Sequence, residues 1–369
     1  MKIGYQFYGF LGDYKFDSDG FKMSSPDGNA FYSWSIIHEF QKRGHTVYSL
    51  MPDRDKPGWD LLGNSLFVAF SAGKRASAYQ GLIKPSVNWL EYLRSTIPSL
   101  DLILLEWRFP TYRNFGPAKT DPDLTIQNWV LTLAREYSVP VFCIDLDHKL
   151  DLDDEVRYNF KGILETAFFP KHQAMDRISV GIPFDMDDLK QFPMIDPDRN
   201  NQLVYIGSRY ERDDIIERYI SPLQSGHNKQ IHFYGNWLEE KYRGCVEQWP
   251  GISFHHRVTH SHFRSIYQSA AFCPLLAKQS YFDTGFITAR LLEAILFGTI
   301  PVGFKEHRGI ENVLPEQLIV DSWQELSKLM SNDIYYHKEL REDLRNQIIQ
   351  QSTNIFSSIN FVDSIIERL

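Results

Sequence analysis

Apolar and polar positions along the chain alternate between two periods, and the alternation itself outlines the elements. Residues 2–8, KIGYQFY, alternate at period two and read as a strand. Phe31–Arg43 carries Trp34, Ile37 and Phe40 on one helical stripe and closes at Gly44, after which Thr46-Val47-Tyr48 begins another strand. DLILLE (101–106) and VPVFCI (139–144) are near-continuous apolar runs, as strands of a buried parallel sheet are, with a helical pattern between them over Ile126–Tyr137. Short strands are expected over Glu165–Phe169 and Ile178–Ile182. Residues 185–200, DMDDLKQFPMIDPDRN, break the pattern and read as a linker. A second series follows, with strands at Leu203–Ile206, Ile231–Tyr234, Ile252–Phe254, Ala271–Leu275 and Leu318–Val320. Its helices fall at about Asp213–Leu223 and His260–Gln268. Strand and helix alternating in both halves predict an α/β chain built as two similar layered units. The division is 1–184, a linker 185–200, a second unit 201–332, and amphipathic helices over 333–369 that pack back across both.

One stretch, FDTGFITARLLEAILFGTIPVGF (282–304), joins an apolar helix pattern through Phe286, Ala289, Leu292 and Leu296 to a Gly298-Thr299 turn and a strand. Glu293 lies inside its apolar run and requires a partner there. Two readings are open: a core helix with a solvated Glu293 and Arg290, or a carboxylate that takes two hydrogen bonds from a vicinal diol of a sugar.

Composition narrows the classes. The chain has 369 residues and 43% hydrophobic content, an ordinary soluble balance, and no apolar run of membrane-spanning length. The N-terminus runs directly into a strand, so neither signal peptide nor membrane span is expected. Cys143, Cys245 and Cys273 are far apart with no CxxC, which fits buried thiols in a reducing cytoplasm. The net charge of −8 argues against general nucleic-acid affinity while leaving room for a local basic groove.

Further candidates sit at strand ends. The loop Ser24-Ser25-Pro26-Asp27-Gly28-Asn29 precedes a helix, a place suited to an anion or a sugar, although no GxGxxG is present. Asp145-Leu146-Asp147-His148 follows a buried strand, where α/β sheets bind ligands. Gly207-Ser208 turns into Arg209 and Arg212. These are planar forks for phosphate oxygens, or alternatively a solvated pair neutralised by Glu211, Asp213 and Asp214. Lys305 is a third cation beyond the 300–304 strand. His255, His256, His260 and His262 form no complete ligand set, and the DxD pairs at 145–147 and 151–153 are weighed low, so no catalytic metal is expected.

These pieces resemble nucleotide-sugar glycosyltransferases of the GT-B type. In these, two Rossmann-like domains face each other across a cleft and the second holds the donor. The resemblance lies in Tyr205-Ile206-Gly207-Ser208-Arg209 and in Glu293-x4-Gly298-Thr-Ile-Pro-Val. Arg290-Leu-Leu-Glu293, with Gly207, Ser208 and Arg212, is also similar to the spore-maturation type. A narrower resemblance is to the DNA α-glucosyltransferases of T-even phages. It rests on Gly298–Val302, Lys305–Asn312, Tyr234-Gly235-Asn236, Asp147-His148, Lys42–Val47 and Asp27-Gly28. The resemblance implies a retaining transfer from a UDP-sugar with no cofactor and no catalytic metal. It implies that Glu293 takes the ribose, that Arg209, Arg212 and Lys305 hold the diphosphate, and that Arg290, Gly207, Ser208, Gly28 and Thr299 contact the donor. Asp147 and His148 would line the acceptor side and orient the attacking hydroxyl, and Asp27, a third catalytic candidate, would approach the sugar or acceptor from the first domain. The acceptor would be a hydroxymethylated pyrimidine of double-stranded phage DNA, met by Trp107, Arg108, Tyr112 and Arg113. A cell-surface glycan or small-molecule acceptor, and a non-catalytic nucleotide-binding protein, are the competing readings. One departure is plain: the second acid of the common Glu-x7-Glu pair would fall at Gly285.

Overall fold

A computed structural model describes residues 1–7, 14–17, 20–23, 30–51, 89–107, 122–146, 148–169, 177–184, 201–225, 230–242, 244–258 and 260–369. The first sheet contains β1 (Lys2–Gln6), β4 (Thr46–Ser49), β5 (Leu102–Glu106), β6 (Val141–Asp145), β7 (Gly162–Glu165) and β8 (Arg177–Ser179). Its order is β4-β1-β5-β6-β7-β8, parallel throughout. An antiparallel hairpin, β2 (Tyr14–Asp17) and β3 (Gly20–Met23), lies in the long connection after β1. The helices are α1 (Ala30–Lys42), α2 (Trp89–Thr96), α3 (Pro122–Glu136) and α4 (Leu152–Tyr158). The second sheet contains β9 (Asn201–Ile206), β10 (Ile231–Tyr234), β11 (Ser253–His255), β12 (Ala270–Pro274), β13 (Ile300–Phe304) and β14 (Ile319–Val320). It is also parallel, in the order β11-β10-β9-β12-β13-β14.

Both orders contain a reversal. After β1 the chain crosses to the β4 edge and then returns to β5 on the other side of β1. After β9 it builds outward through β10 and β11 and returns to β12 on the other side of β9. At such a reversal the loops leaving adjacent strands diverge, and a crevice opens outside the carboxyl ends. The two crevices of interest are therefore β1/β5 and β9/β12. Fully buried β5 and β12 put apolar side chains on both faces, which is why their sequences do not alternate.

In the second unit the chain continues through α5 (Asp213–Ile215), α6 (Cys245–Gln248), α7 (His260–Gln268), α8 (Gln279–Thr284) and α9 (Arg290–Leu296). The helix read over 286–298 is thus shorter, because Gly285 takes a left-handed conformation (φ 69°) that caps α8. Gly298 (φ 78°) follows the end of α9. Beyond α10 (Trp323–Met330), α11 (Lys338–Ser352) is tied to the second sheet by a buried arginine. Arg341 Nη1 donates to the Ala271 and Tyr335 carbonyls, and its Nη2 donates to the Gly298 carbonyl at 2.7 Å. α12 (Ser358–Ile366) is tied to α1 instead, with Arg43 donating to Asp363 at 2.5 Å and to the Ile359 carbonyl.

Candidate active site

The β9/β12 crevice gathers four polar side chains. Arg290, first residue of α9, reaches across the reversal: its Nε donates to the Ile206 carbonyl (2.8 Å) at the end of β9 and its Nη1 to the Leu276 carbonyl (3.3 Å) after β12. Arg212 Nε donates to that same Leu276 carbonyl (3.4 Å), and its Nη1 to Tyr210 (2.5 Å) and Ser208 Oγ (3.4 Å). Two guanidinium groups therefore converge on one carbonyl. Among the described residues neither guanidinium has a carboxylate within ion-pair distance, and Glu293 acts on Arg290 only through its field. Glycine at the turn between them lets both side chains approach the backbone closely. A Cβ on Gly207 would sit 2.6 Å from Arg290 Nη2 and 2.6 Å from the Tyr205 hydroxyl. The Arg290 guanidinium also lies over the Tyr205 ring, 4.5 Å from its centroid.

One turn further along α9, Glu293 is buried, 7% exposed. Its Oε2 accepts from the Tyr267 hydroxyl (3.1 Å), and no described residue donates to its Oε1. Burial raises this carboxyl above its ordinary value, with Arg290 and the Tyr267 hydrogen bond pulling the other way. The solvated-Glu reading is excluded. The side chain is an oriented acceptor beside a guanidinium.

Other residues singled out in the sequence are placed differently. Arg209 is bidentate to Asp213 (2.7 and 3.0 Å), bonded to Gln248, and stacked over Trp249; only its backbone N–H, held by Asn236 Oδ1, belongs to the turn. The cavity of about 640 Å³ beside it has Arg209 and Arg218 against Glu211, Asp213 and Asp214, so its lining is net negative and unsuited to an anion. Lys305 is exposed at the end of β13 and pairs with Asp321. Thr299 precedes β13, at the amino ends of the strands, and its hydroxyl donates to the Tyr267 carbonyl; the structure does not bring it to the crevice. Gly285 carries no acid for a steric reason: a Cβ there would lie 2.5 Å from the Arg308 carbonyl and 3.0 Å from the Phe168 ring.

Carboxylates crowd the carboxyl ends of the first sheet. Glu106, which the sequence reading missed because it looks like the tail of an apolar strand, accepts from Tyr5 (2.6 Å), Ser33 (3.1 Å) and Tyr32 (3.3 Å) at the β1/β5 reversal. Asp145 accepts the backbone N–H groups of Lys149 and Leu150. His148, buried and left-handed (φ 54°), meets Thr284 Oγ1 at Nδ1 (3.2 Å) and lies edge-on to Tyr281 and Phe286. It thereby joins the first sheet to the loop around Gly285. Trp107 is buried against Tyr158 and Phe160 rather than presented for stacking. Asp27, Gly28, Arg108, Tyr112, Arg113 and Asp147 lie outside the described residues. Of the histidines, His255 bonds His232 across β10 and β11 (2.9 Å), and among the described residues no group of three or more metal-ligating side chains occurs.

Burial pushes the Asp145 carboxyl up to about 7, and burial pushes the His307 imidazole down to about 4. Between about 4 and 7 folded Asp145 keeps a proton that the unfolded chain has released, so stability falls as pH rises. Between about 4 and 6.5 unfolded His307 holds a proton that the folded chain lacks, so its contribution rises with pH. The two nearly cancel from pH 4 to 6.5. Asp145→Asn removes one side of that balance. Urea unfolding at pH 4.5, 5.5 and 6.5 is expected to show stability rising with pH by up to ~1.4 kcal/mol per unit more than in the parent.

No protein-family model matches the chain, and no curated protein matches it by sequence. Solved structures do match in shape over its whole length. T4 phage β-glucosyltransferase in complex with UDP and Mn2+ superposes with a TM-score of 0.61 at 13% identity, covering 100% of this chain and 99% of that one. An α-glucosyltransferase in complex with UDP and a 13-mer DNA containing a HMU base gives 0.59 at 14%, covering 100% and 99%. Anabaena HepE in complex with UDP gives 0.56 at 14%, covering 100% of both. The chain has the GT-B fold. Within the GT-B frame, the β9/β12 crevice is the reversal of the second sheet, and Arg290 and Arg212 both bridge it.

Proposed function

We propose that this chain is a glycosyltransferase that moves a sugar from a UDP-sugar to a hydroxyl acceptor, with the second-sheet crevice as the donor site. The observation that carries the reading is the convergence of Arg212 and Arg290 on the Leu276 carbonyl beside Gly207. When the bond between sugar and diphosphate breaks, negative charge builds on the leaving phosphate, and fixed guanidinium groups stabilise that charge more than the ground state. Glu293, one helical turn away, takes the ribose hydroxyls through Oε1. Two arginines supply the charge that a divalent ion supplies elsewhere, so the reading includes no catalytic metal, and excess chelator is expected to leave turnover unchanged.

For the acceptor we propose a hydroxymethylated pyrimidine of duplex DNA, and for the stereochemistry retention. The support is the phage-type strings Gly298–Val302 and Lys305–Asn312, together with a GT-B neighbour bound to DNA containing a HMU base. Asp147 is the group proposed to orient the attacking hydroxyl, and its neighbour in sequence, His148, is held by Thr284. Glu106 at the β1/β5 crevice, with a net charge of −8, favours the second reading, a neutral glycan or small-molecule acceptor. Cys143, Cys245 and Cys273 are free thiols, in keeping with a cytoplasmic site of action. Radiolabelled transfer from a panel of UDP-sugars tests the acceptor. Label in hydroxymethylated duplex DNA, with the product anomer matching the donor, is the expected result. Label in an oligosaccharide with none in DNA decides for the second reading, and UDP-sugar bound without any turnover decides against catalysis.

A further inference from the structure

Resting on that donor-site reading, we infer that the Tyr205 hydroxyl is a further binding group for the donor's diphosphate, acting beside Arg290 Nη2. Tyr205 is fully buried on β9, yet its hydroxyl has no hydrogen-bond partner. Everything else the ring does, phenylalanine would do as well: it packs against Phe233 (5.2 Å) and Trp237 (6.0 Å) and carries the Arg290 guanidinium on its face. A buried hydroxyl left without a partner lowers stability, and where one persists the cause is sought in a group that arrives later.

The place where it ends names that group. The side chain leans along the strand toward the carboxyl end, so that its hydroxyl reaches the Gly207 turn. Arg290 Nη2 and the Tyr205 hydroxyl are each 2.6 Å from the point where a Cβ on residue 207 would stand, so they are at most twice that distance apart. Arg290 spends Nε and Nη1 on the Ile206 and Leu276 carbonyls and Thr288 Oγ1, whereas no described partner takes Nη2. Two donors with nothing to donate to thus flank a glycine that leaves room for close approach. A ligand that satisfies both is an acceptor with concentrated negative charge, and a phosphate oxygen matches the short O–H···O⁻ and N⁺–H···O⁻ bonds that such donors form. Arg290 supplies charge, and the phenol supplies a neutral, rigidly aimed donor that needs no reorganisation when the ligand enters.

The test is calorimetric titration of UDP and of uridine into the full chain and its Tyr205→Phe variant, with thermal unfolding of both. Removing an unsatisfied hydroxyl is expected to leave the unliganded Tm unchanged or raised, to weaken UDP binding about tenfold, and to leave uridine binding as it was. UDP affinity equal to the parent's overturns the assignment, the outcome expected if a buried water serves the hydroxyl. An equal loss for uridine overturns it too, because the effect would then lie outside the diphosphate. Arg290→Ala in the same series separates this from the donor-site reading. A weakened Arg290→Ala beside an unaltered Tyr205→Phe removes only the hydroxyl's role, whereas UDP binding absent from the parent, or intact in Arg290→Ala, removes the donor site itself.

Discussion

Arg290→Ala is expected to lower kcat/KM for transfer from a UDP-sugar by about 10²–10³-fold, the loss typical of removing one fixed donor from developing anionic charge. The guanidinium is held before any ligand arrives, by carbonyls of Ile206 and Leu276 on both sides of the reversal and by Thr288 Oγ1. Its orientation therefore costs nothing at the moment of reaction. Arg290→Lys keeps the charge but not the fork, and is expected to recover only part of the loss, because an ammonium cannot reach the two carbonyls and a phosphate oxygen together. Steady-state kinetics with thermal unfolding of each variant checks this. A kcat/KM within threefold of the parent in a folded Arg290→Ala protein contradicts it.

The second large effect belongs to Glu293. Glu293→Gln keeps the shape and an oxygen for the Tyr267 hydroxyl, but replaces a carboxylate with a weaker acceptor. The ribose is bound alike before and during transfer, so the loss is expected in KM for the UDP-sugar, about 10–100-fold, with kcat changed little. Stability should hold or rise, since burial opposes the charged form of this carboxyl. A fall in kcat at constant KM would place Glu293 at the reacting centre and not at the ribose.

Much of this site can be read in the chain before it folds, and the exceptions share a cause. Periodicity locates β9, β10, β12, α7 and the Gly298 end of α9, because each depends on local spacing. Glu293 and Arg290 are legible as charges in an apolar run that require partners. Their partners are not legible. Tyr267 lies 26 residues away on another helix, and the Leu276 carbonyl belongs to a loop that only the sheet order brings near. Strand direction misplaces Thr299: next to Gly298 in sequence, it stands at the amino end of β13, away from the crevice. Local competition captures Arg209, whose neighbour four residues on, Asp213, forms the ion pair first. Glu106 hides as the last residue of an apolar strand. Its three hydroxyl partners come from β1 and α1, and nothing in DLILLE announces them.

The most direct test of the central claim is a crystal structure of the chain with UDP. The account predicts the diphosphate over Gly207, with an oxygen within hydrogen-bond distance of Arg290 Nη2, and the ribose hydroxyls on Glu293 Oε1. UDP seated at the β1/β5 crevice near Glu106, or in the acidic cavity beside Arg209, would contradict it.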